Sequence, residues 1–320
     1  MMAIDMAESG KKHRFEFMVM RVMGVVLSRS PYRLALSIGF ALAVLGHYVM
    51  RYRVDAARAR IRQVFPDYSE SRVRRVAWLS FRNFIFNVVD MFRLDRVDLR
   101  WIEKHVAGSA AAREHIMGHC ASGQGGIIAS LHMGAAELAA VVMQRFGVPM
   151  FLITGRQSNA LVDERLNQMR ASTGIPIVQK GSSLLKSVIR RLKAGEILAF
   201  LADLRVENGI VVDFLGAKAS VAPGMALFAN QTQVPILPII LTRRGWTGHS
   251  IVFHPTVMPD PDVPKREDQQ RMTQQVFDIM DRAIREMPEQ WFWFNKSWIL
   301  DPFPDARAER RPAEAGETEG

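Results

Sequence analysis

The chain has 320 residues, with 42 lysines and arginines against 32 aspartates and glutamates, a single cysteine, and 48 % hydrophobic residues. That content excludes a chain disordered throughout, and one cysteine excludes an intrachain disulfide framework or a cysteine-rich zinc site. The formal charge of +10 calls for an acidic partner, which nucleic acid, an anionic membrane surface or an acidic protein could supply.

The base is concentrated early. Residues 11–14, Lys-Lys-His-Arg, lead into a Met- and Val-rich stretch carrying Arg21, Arg29 and Arg33. Leu34 to Met50 then runs 17 residues without Asp, Glu, Lys or Arg, and Arg51 and Arg53 close it. A membrane span needs about 20 apolar residues, and Gly39, Gly46 and His47 interrupt this one. It reads as a short span, a re-entrant helix or a buried core helix. The run starts too late for a cleaved signal peptide. Arginine on both flanks favours an element in or against a membrane, cationic ends at the headgroups. The basic series continues through Arg58, Arg60, Arg62, Arg72, Arg74 and Arg75, beside a helix expected over Ser71–Leu94. No helix-turn-helix, zinc-finger or RNP pattern occurs, so an anionic lipid surface is the better partner and nucleic acid is not expected.

From Gly125 onward, short apolar runs alternate with helical patterns. Strands are expected at Gly126–Ser130, Met150–Thr154, Ile175–Val178, Ile197–Ala202, Ile210–Phe214, Ile236–Leu241 and Ser250–Phe253. Helices are expected at Gly134–Phe146, Leu161–Ser172, Leu184–Ala194, Met225–Gln231 and Arg266–Met287, with Gly147 and Gly195 as C-caps. The alternation implies an α/β fold, a mixed central sheet flanked by helices. The expected organisation is a basic and apolar membrane-associating segment over 1–52, a catalytic domain over 53–303 and a disordered tail over 304–320. The segment Trp291–Trp298 is aromatic-rich, as core or as an interface anchor.

The chemistry centres on residues 126–147, GIIASLHMGAAELAAVVMQRFG. A buried strand runs into His132, and a helix then opens carrying Glu137. On a continuous helix five residues turn about 500°, so the two side chains would not share a face. They meet only if His132 lies in the turn and Glu137 in the first helical turn. Gly134 makes that turn easy, and the helix dipole keeps the carboxylate ionised. Glu137 would then hold one ring nitrogen and leave the other as a general base. Spacing alone carries little weight: with 32 acids in 320 residues, chance places one there for about one of the eight histidines. The end of a buried strand is where α/β sheets build their sites.

Other catalytic patterns are missing. There is no G-x-S-x-G, H-E-x-x-H, G-x-x-x-x-G-K-[ST] or G-x-G-x-x-G. Cys120 has no base beside it in sequence and reads as inert.

The order of these blocks resembles the late acyltransferases of lipid A biosynthesis, the lauroyl and myristoyl transferases of bacterial inner membranes, over about Arg53 to Leu300. RIRQVFPDYSESRVRRVAWLSFRNF (60–84) is similar to that family's stretch before the active site, and His132 with Glu137 to its H-x4-[DE] motif. GRQSNALVDERLNQMRASTG (155–174) is similar to its second block, with Arg156 opening the loop and Arg170 before a glycine. FLADLRVENGIVVDFLGAKASVAPG (200–224) looks like its third, with Asp203 at the acidic position and Gly216 in a Phe-x-Gly turn. Pro288-Glu289-Gln290 with WFWFNKSW matches its closing segment.

The resemblance implies single-displacement acyl transfer from an acyl carrier protein or acyl-CoA thioester to a hydroxyl of a lipid A-type glycolipid. The enzyme would work at the cytoplasmic face of the inner membrane, with no cofactor and no metal. His132 would be the base and Glu137 its partner. Arg170 and Asp203 would form a second polar pair, and Arg156 and Asn159 would contact the head group. Gly216 serves a turn rather than a ligand, although a glycine there also lets substrate approach the backbone. Leu204-Arg205 and Asn295-Lys296-Ser297 replace polar residues usual in the family. These departures bear on the acceptor and leave another glycolipid or an aminolipid as alternatives. A lipid hydrolase, and a non-enzymatic protein binding anionic membranes, are the competing readings.

Overall fold

In a computed structural model, described for residues 18, 22–154, 173–179, 181 and 183–301, the sequence alternation becomes a seven-stranded sheet. Its strands are β1 (Val106–Ala107), β2 (Gly126–Ser130), β3 (Met150–Thr154), β4 (Ile177–Gln179), β5 (Ile197–Leu201), β8 (Ile236–Arg244) and β9 (Gly248–Phe253), in the spatial order β1-β9-β8-β2-β5-β3-β4. All neighbours run parallel except β8 and β9, which form an antiparallel pair. The α/β reading with a mixed sheet therefore holds.

β2 lies at the centre between β8 and β5, with all five of its residues buried. A strand covered on both faces reads as an apolar run, which Gly126–Ala129 is, with Ser130 at its end. The helix α6 (Ala136–Arg145) follows β2, and α7 (Leu184–Lys193) precedes β5. Gly147 and Gly195 take positive φ just beyond these two helices, as their cap positions require. The helices α8 (Gly224–Thr232) and α9 (Lys265–Glu286) fall within a residue or two of expectation. The expected helix Leu161–Ser172 lies outside the described residues, as do residues 302–320.

One strand departs from expectation. Residues expected as a short strand at Ile210–Phe214 belong to a longer β6 (Arg205–Phe214), which leaves the main sheet. It pairs antiparallel with β7 (Ala217–Val221) through a turn at Leu215 and Gly216. Both turn residues have positive φ, 53° and 83°, the geometry that matches the twist of a hairpin. β7, Ala-Lys-Ala-Ser-Val, has too little apolar content to announce itself, and pairing alone makes it a strand.

The N-terminal apolar run forms α1 (Tyr32–Val44), continued by a wider turn over Leu45–Val49. It docks along α3 (Glu70–Met91), which Ser69 caps. Gly39 and Gly46, interruptions in the apolar run, are the contact face: a Cβ on either would crowd Val89 or Phe81 of α3. Ala35, Leu36, Ala43 and His47 share that buried face. The other side is bare and apolar, with Leu45 46 %, Tyr48 56 % and Val49 70 % exposed. Tyr32–Val49 is long and apolar enough to cross a membrane, yet only 28 % of it is buried. It is thus not a core helix among the described residues.

The closing segment is core. Trp291, Trp293, Phe294 and Trp298 are all buried. It is fastened by α2 (Val54–Val64) through a buried arginine. Arg60 Nη1 donates to the carbonyls of Trp293 at 2.9 Å and Asn295 at 2.7 Å, and Nη2 to Asp301 at 3.1 Å. Replacing Arg60 with Ala would leave these acceptors unpaired, with an expected loss of about 3 kcal/mol in urea unfolding. Arg53→Ala, whose bond to the Asn295 carbonyl is exposed, should cost under about 1 kcal/mol.

Candidate active site

β2 and β5 run parallel with Ser130 opposite Leu201, and the Ala202 amide donates to the Ser130 carbonyl at 2.8 Å. Two residues beyond each matched position stand His132 and Asp203. The His132 ring donates from Nδ1 to Asp203 Oδ1 at 2.8 Å, and its backbone N–H donates to Oδ2 at 3.1 Å. Both carboxylate oxygens are thereby engaged by one residue, fixing the position and tautomer of the ring.

The two partners are unequally exposed. The Asp203 side chain is 4 % accessible and that of His132 46 %, so the carboxylate is buried beneath a ring that a substrate can reach. The Asp203 charge raises the imidazole above its ordinary pKa, against a desolvation that lowers it; the ring hydrogen bond and the charge of Glu137 add to the rise. Burial opposes ionisation of Asp203. The His132 charge, its ring hydrogen bond and its backbone amide nevertheless hold the carboxyl below the usual aspartate value.

From the sequence, Glu137 is expected to hold one ring nitrogen; in the structure the partner of Nδ1 is Asp203. The reason is register: parallel neighbours bring equivalent strand ends together. Glu137, in the first turn of α6, lines the same cavity and acts on His132 through its charge. The expected pairing of Asp203 with Arg170 cannot be followed, because Arg156, Asn159 and Arg170 lie outside the described residues. Gly216 sits in the β6–β7 turn and is not among the residues lining the cavity. Cys120 has its thiol pushed up by burial and is no activated nucleophile.

The turn that carries His132 is braced from three directions. The Gly134 amide donates to the Gln290 carbonyl at 2.7 Å, and the Ala135 amide to the Leu241 carbonyl at 2.9 Å. Asn87 of α3 donates to the Gly134 carbonyl at 2.5 Å. Asn87 also accepts from Arg243, which is buried and ion-paired with Asp90. Gln290 completes the brace by bonding both backbone groups of Arg243, at 3.0 Å each. The sequence carries no sign of Asn87 or Arg243 and places Gln290 only within the closing segment, because their partners are distant in the chain.

Beside His132 opens a cavity of about 500 Å³ between α6 and the ends of β2, β3 and β5. Its wall on α6 is Ala136, Ala139, Ala140 and Met143, the i, i+3, i+4, i+7 stripe of one helix face. Ile128, Met150 and Phe200 extend it, while Ser130, His132 and Glu137 supply polar groups. α6 starts without a side-chain cap, so the positive end of its dipole lies at the cavity, where it favours developing negative charge.

A buried-carboxylate histidine at the mouth of an apolar cavity, at the carboxyl ends of parallel strands, has the layout of an α/β enzyme acting beside a long apolar group. The family model for bacterial lipid A biosynthesis acyltransferases matches residues 10–299, and the chain belongs to that family. It is 22 % identical over 277 residues to a lipid A biosynthesis acyltransferase of Haemophilus influenzae, covering 84 % of this chain and 83 % of the relative. It is 23 % identical over 227 residues to a phosphatidylinositol mannoside acyltransferase of Mycobacterium tuberculosis, covering 69 % and 70 %. The resemblance read from the sequence is thus borne out for the family, for acyltransferase activity and for a glycolipid acceptor.

Gly134 has φ +60°, and a Cβ there would overlap the Leu241 carbonyl oxygen. Gly134→Ala should therefore lose about 3 kcal/mol or more of stability. Gly216→Ala, also at positive φ but with nothing nearer than Arg285 at 4.0 Å, should lose only about 1–2 kcal/mol. Parallel denaturant titrations of the two variants check the contrast.

Proposed function

We propose that the protein transfers a fatty acyl group from a carrier-protein or CoA thioester to a hydroxyl of a lipid A-type glycolipid precursor, with His132 as general base. The observation that carries this reading is the His132–Asp203 pair at the mouth of the apolar cavity. With Nδ1 committed to Asp203, Nε2 is the nitrogen available to take a proton. The acceptor oxygen attacks the thioester carbonyl as its proton passes to Nε2. The tetrahedral intermediate then collapses, the C–S bond breaks, and the imidazolium returns the proton to the departing thiolate. The products are an ester and a free thiol, with no enzyme-bound acyl intermediate.

Asp203 and Glu137 share the electrostatic work. Asp203 positions the ring and stabilises the imidazolium, in the manner of a triad carboxylate, and Glu137 adds a second negative charge. The acyl chain lies along the Ala136–Met143 face, where each buried methylene contributes about 0.8 kcal/mol. An acidic carrier protein as donor is supported by α7, where Lys186, Arg190 and Lys193 are exposed on a helix whose Leu184 lines the cavity. Arg156, Asn159 and Arg170 belong to the head-group contacts by family resemblance alone.

The acceptor can be another glycolipid. Similarity to a phosphatidylinositol mannoside acyltransferase, together with Leu204-Arg205 where the family usually has a second polar pair, favours a glycolipid class over one fixed acceptor. The bare apolar face of α1, flanked by Arg33 and Arg51, supports attachment to the inner membrane at its cytoplasmic face, where soluble thioesters are made.

Purified protein given acyl-carrier thioester and a disaccharide lipid should yield acylated lipid. His132→Ala and Asp203→Asn should each reduce kcat/KM by about 10²–10⁴-fold, and Glu137→Ala by less. Equal activity in His132→Ala would end the base assignment, and thiol release without acylated lipid would indicate a hydrolase. The base must be neutral, and its pKa is raised. Activity should therefore climb with pH through a limb above the ordinary imidazole value of about 6.5, and Asp203→Asn should move that limb down.

Membrane attachment has its own readout. Leu45→Glu with Val49→Glu on the exposed face should release the protein from salt-washed membranes. Retention of this variant would remove α1 as the anchor.

A further inference from the structure

A second cavity, of about 600 Å³, lies where the start of α1, the end of α3 and the helix α4 (Leu99–His105) meet. It is on the other side of α6 from the apolar cavity: Leu138 faces it, whereas Glu137, Ala139 and Ala140 face the first. Its walls carry Arg33, Arg93, Arg96 and Lys104, with Tyr32 and Trp101 between them.

These cations are not spent on acids. Among the described residues Arg33, Arg96 and Lys104 are exposed and make no ion pair or side-chain hydrogen bond. Arg93 gives its Nη1 to the carbonyls of Leu27 at 2.6 Å and Ser30 at 2.7 Å and keeps its charge. Among the described residues the one carboxylate in the wall, Asp90, is already taken by Arg243, His249 and Tyr32. Like charges held together around a concave space cost stability unless an anion occupies it.

The aromatic wall is fixed. Trp101 stacks on His105 at 4.8 Å, and His105 is tied through Nδ1 to the Thr247 carbonyl at 3.1 Å. The Arg93 guanidinium lies 5.3 Å over the Tyr32 ring. Arg33 on α1, Arg93 and Arg96 beyond the end of α3, and Lys104 on α4 place guanidinium and ammonium groups in the walls of one cavity, which suits a tetrahedral oxyanion that offers oxygens in several directions. Next to Arg33, Leu34 is 52 % exposed and begins the apolar face of α1, so the cavity opens where that face starts.

We propose that this second cavity binds a phosphate ester. The chemistry is shared by a phospholipid headgroup and a soluble phosphate compound, and it does not depend on the acyl-transfer reading. The test uses the full chain and an Arg33→Ala/Arg96→Ala/Lys104→Ala variant, all three positions being exposed. The control is Arg72→Ala/Arg74→Ala/Arg75→Ala, which removes equal charge from the surface of α3. Flotation with vesicles of phosphatidylglycerol in phosphatidylcholine, against phosphatidylcholine alone, reads the lipid source. Calorimetric titration with inorganic phosphate reads the soluble one.

The expected result is that the cavity variant loses about tenfold in affinity for phosphatidylglycerol vesicles, while the control loses under about twofold. Diffuse attraction would weaken both variants equally, since it counts charges near the surface and not their arrangement. Phosphate heat abolished in the cavity variant, with no vesicle preference, would place a soluble phosphate ester there. Equal losses in the two variants, or no response to either probe, would overturn the site.

Discussion

The close approach of the Gly134 backbone to the Leu241 carbonyl is the constraint on which the site depends. Only a residue without a Cβ can bring the end of β2 against β8 with a positive φ. That approach lets the Ala135 amide reach the Leu241 carbonyl and start α6 at once. His132 is left two residues beyond the strand, over the end of β5, where Asp203 meets it. The meeting of His132 and Asp203 thus follows from backbone contacts, and the side chains complete it.

A buried polar network keeps that turn in place. Asp90, Arg243 and His249 are all buried, and burying charges without partners would be prohibitive. Here Arg243 pairs with Asp90, bonds the Trp246 carbonyl at 2.8 Å and reaches Asn87 at 3.0 Å. Asn87 and Gln290 then hand the fixed orientation to Gly134. Helix α3, strand β8 and the closing segment are locked to one turn by groups that each need the others to be satisfied.

Basic residues fall into classes that composition does not separate. Arg60 and Arg243 are interior fasteners of carbonyls and carboxylates. Arg74 and Arg75 lie on the exposed surface of α3. Arg33, Arg96 and Lys104 gather around a cavity. The net positive charge is therefore partly structural, and the exposed remainder is spread over the start of α1, the surface of α3 and α7.

Periodicity by itself located six of the seven strands of the main sheet, though not β1, and the helices that flank its centre: β2 and β3 coincide with their apolar runs, and glycine marked the ends of α6 and α7, because burial and capping are local demands on residue type. His132 and Glu137 were equally legible, as was the acidic position Asp203. Which carboxylate holds the ring was not. Glu137 is five residues away and Asp203 is 71, and only the parallel register of β2 with β5 decides between them. The same holds for β7, which pairing makes a strand, and for Gly39 and Gly46, whose purpose is the approach of α3. Sequence records what each segment must bury. Tertiary structure decides which distant groups then share a position, since strand register and helix contact are set by the whole core.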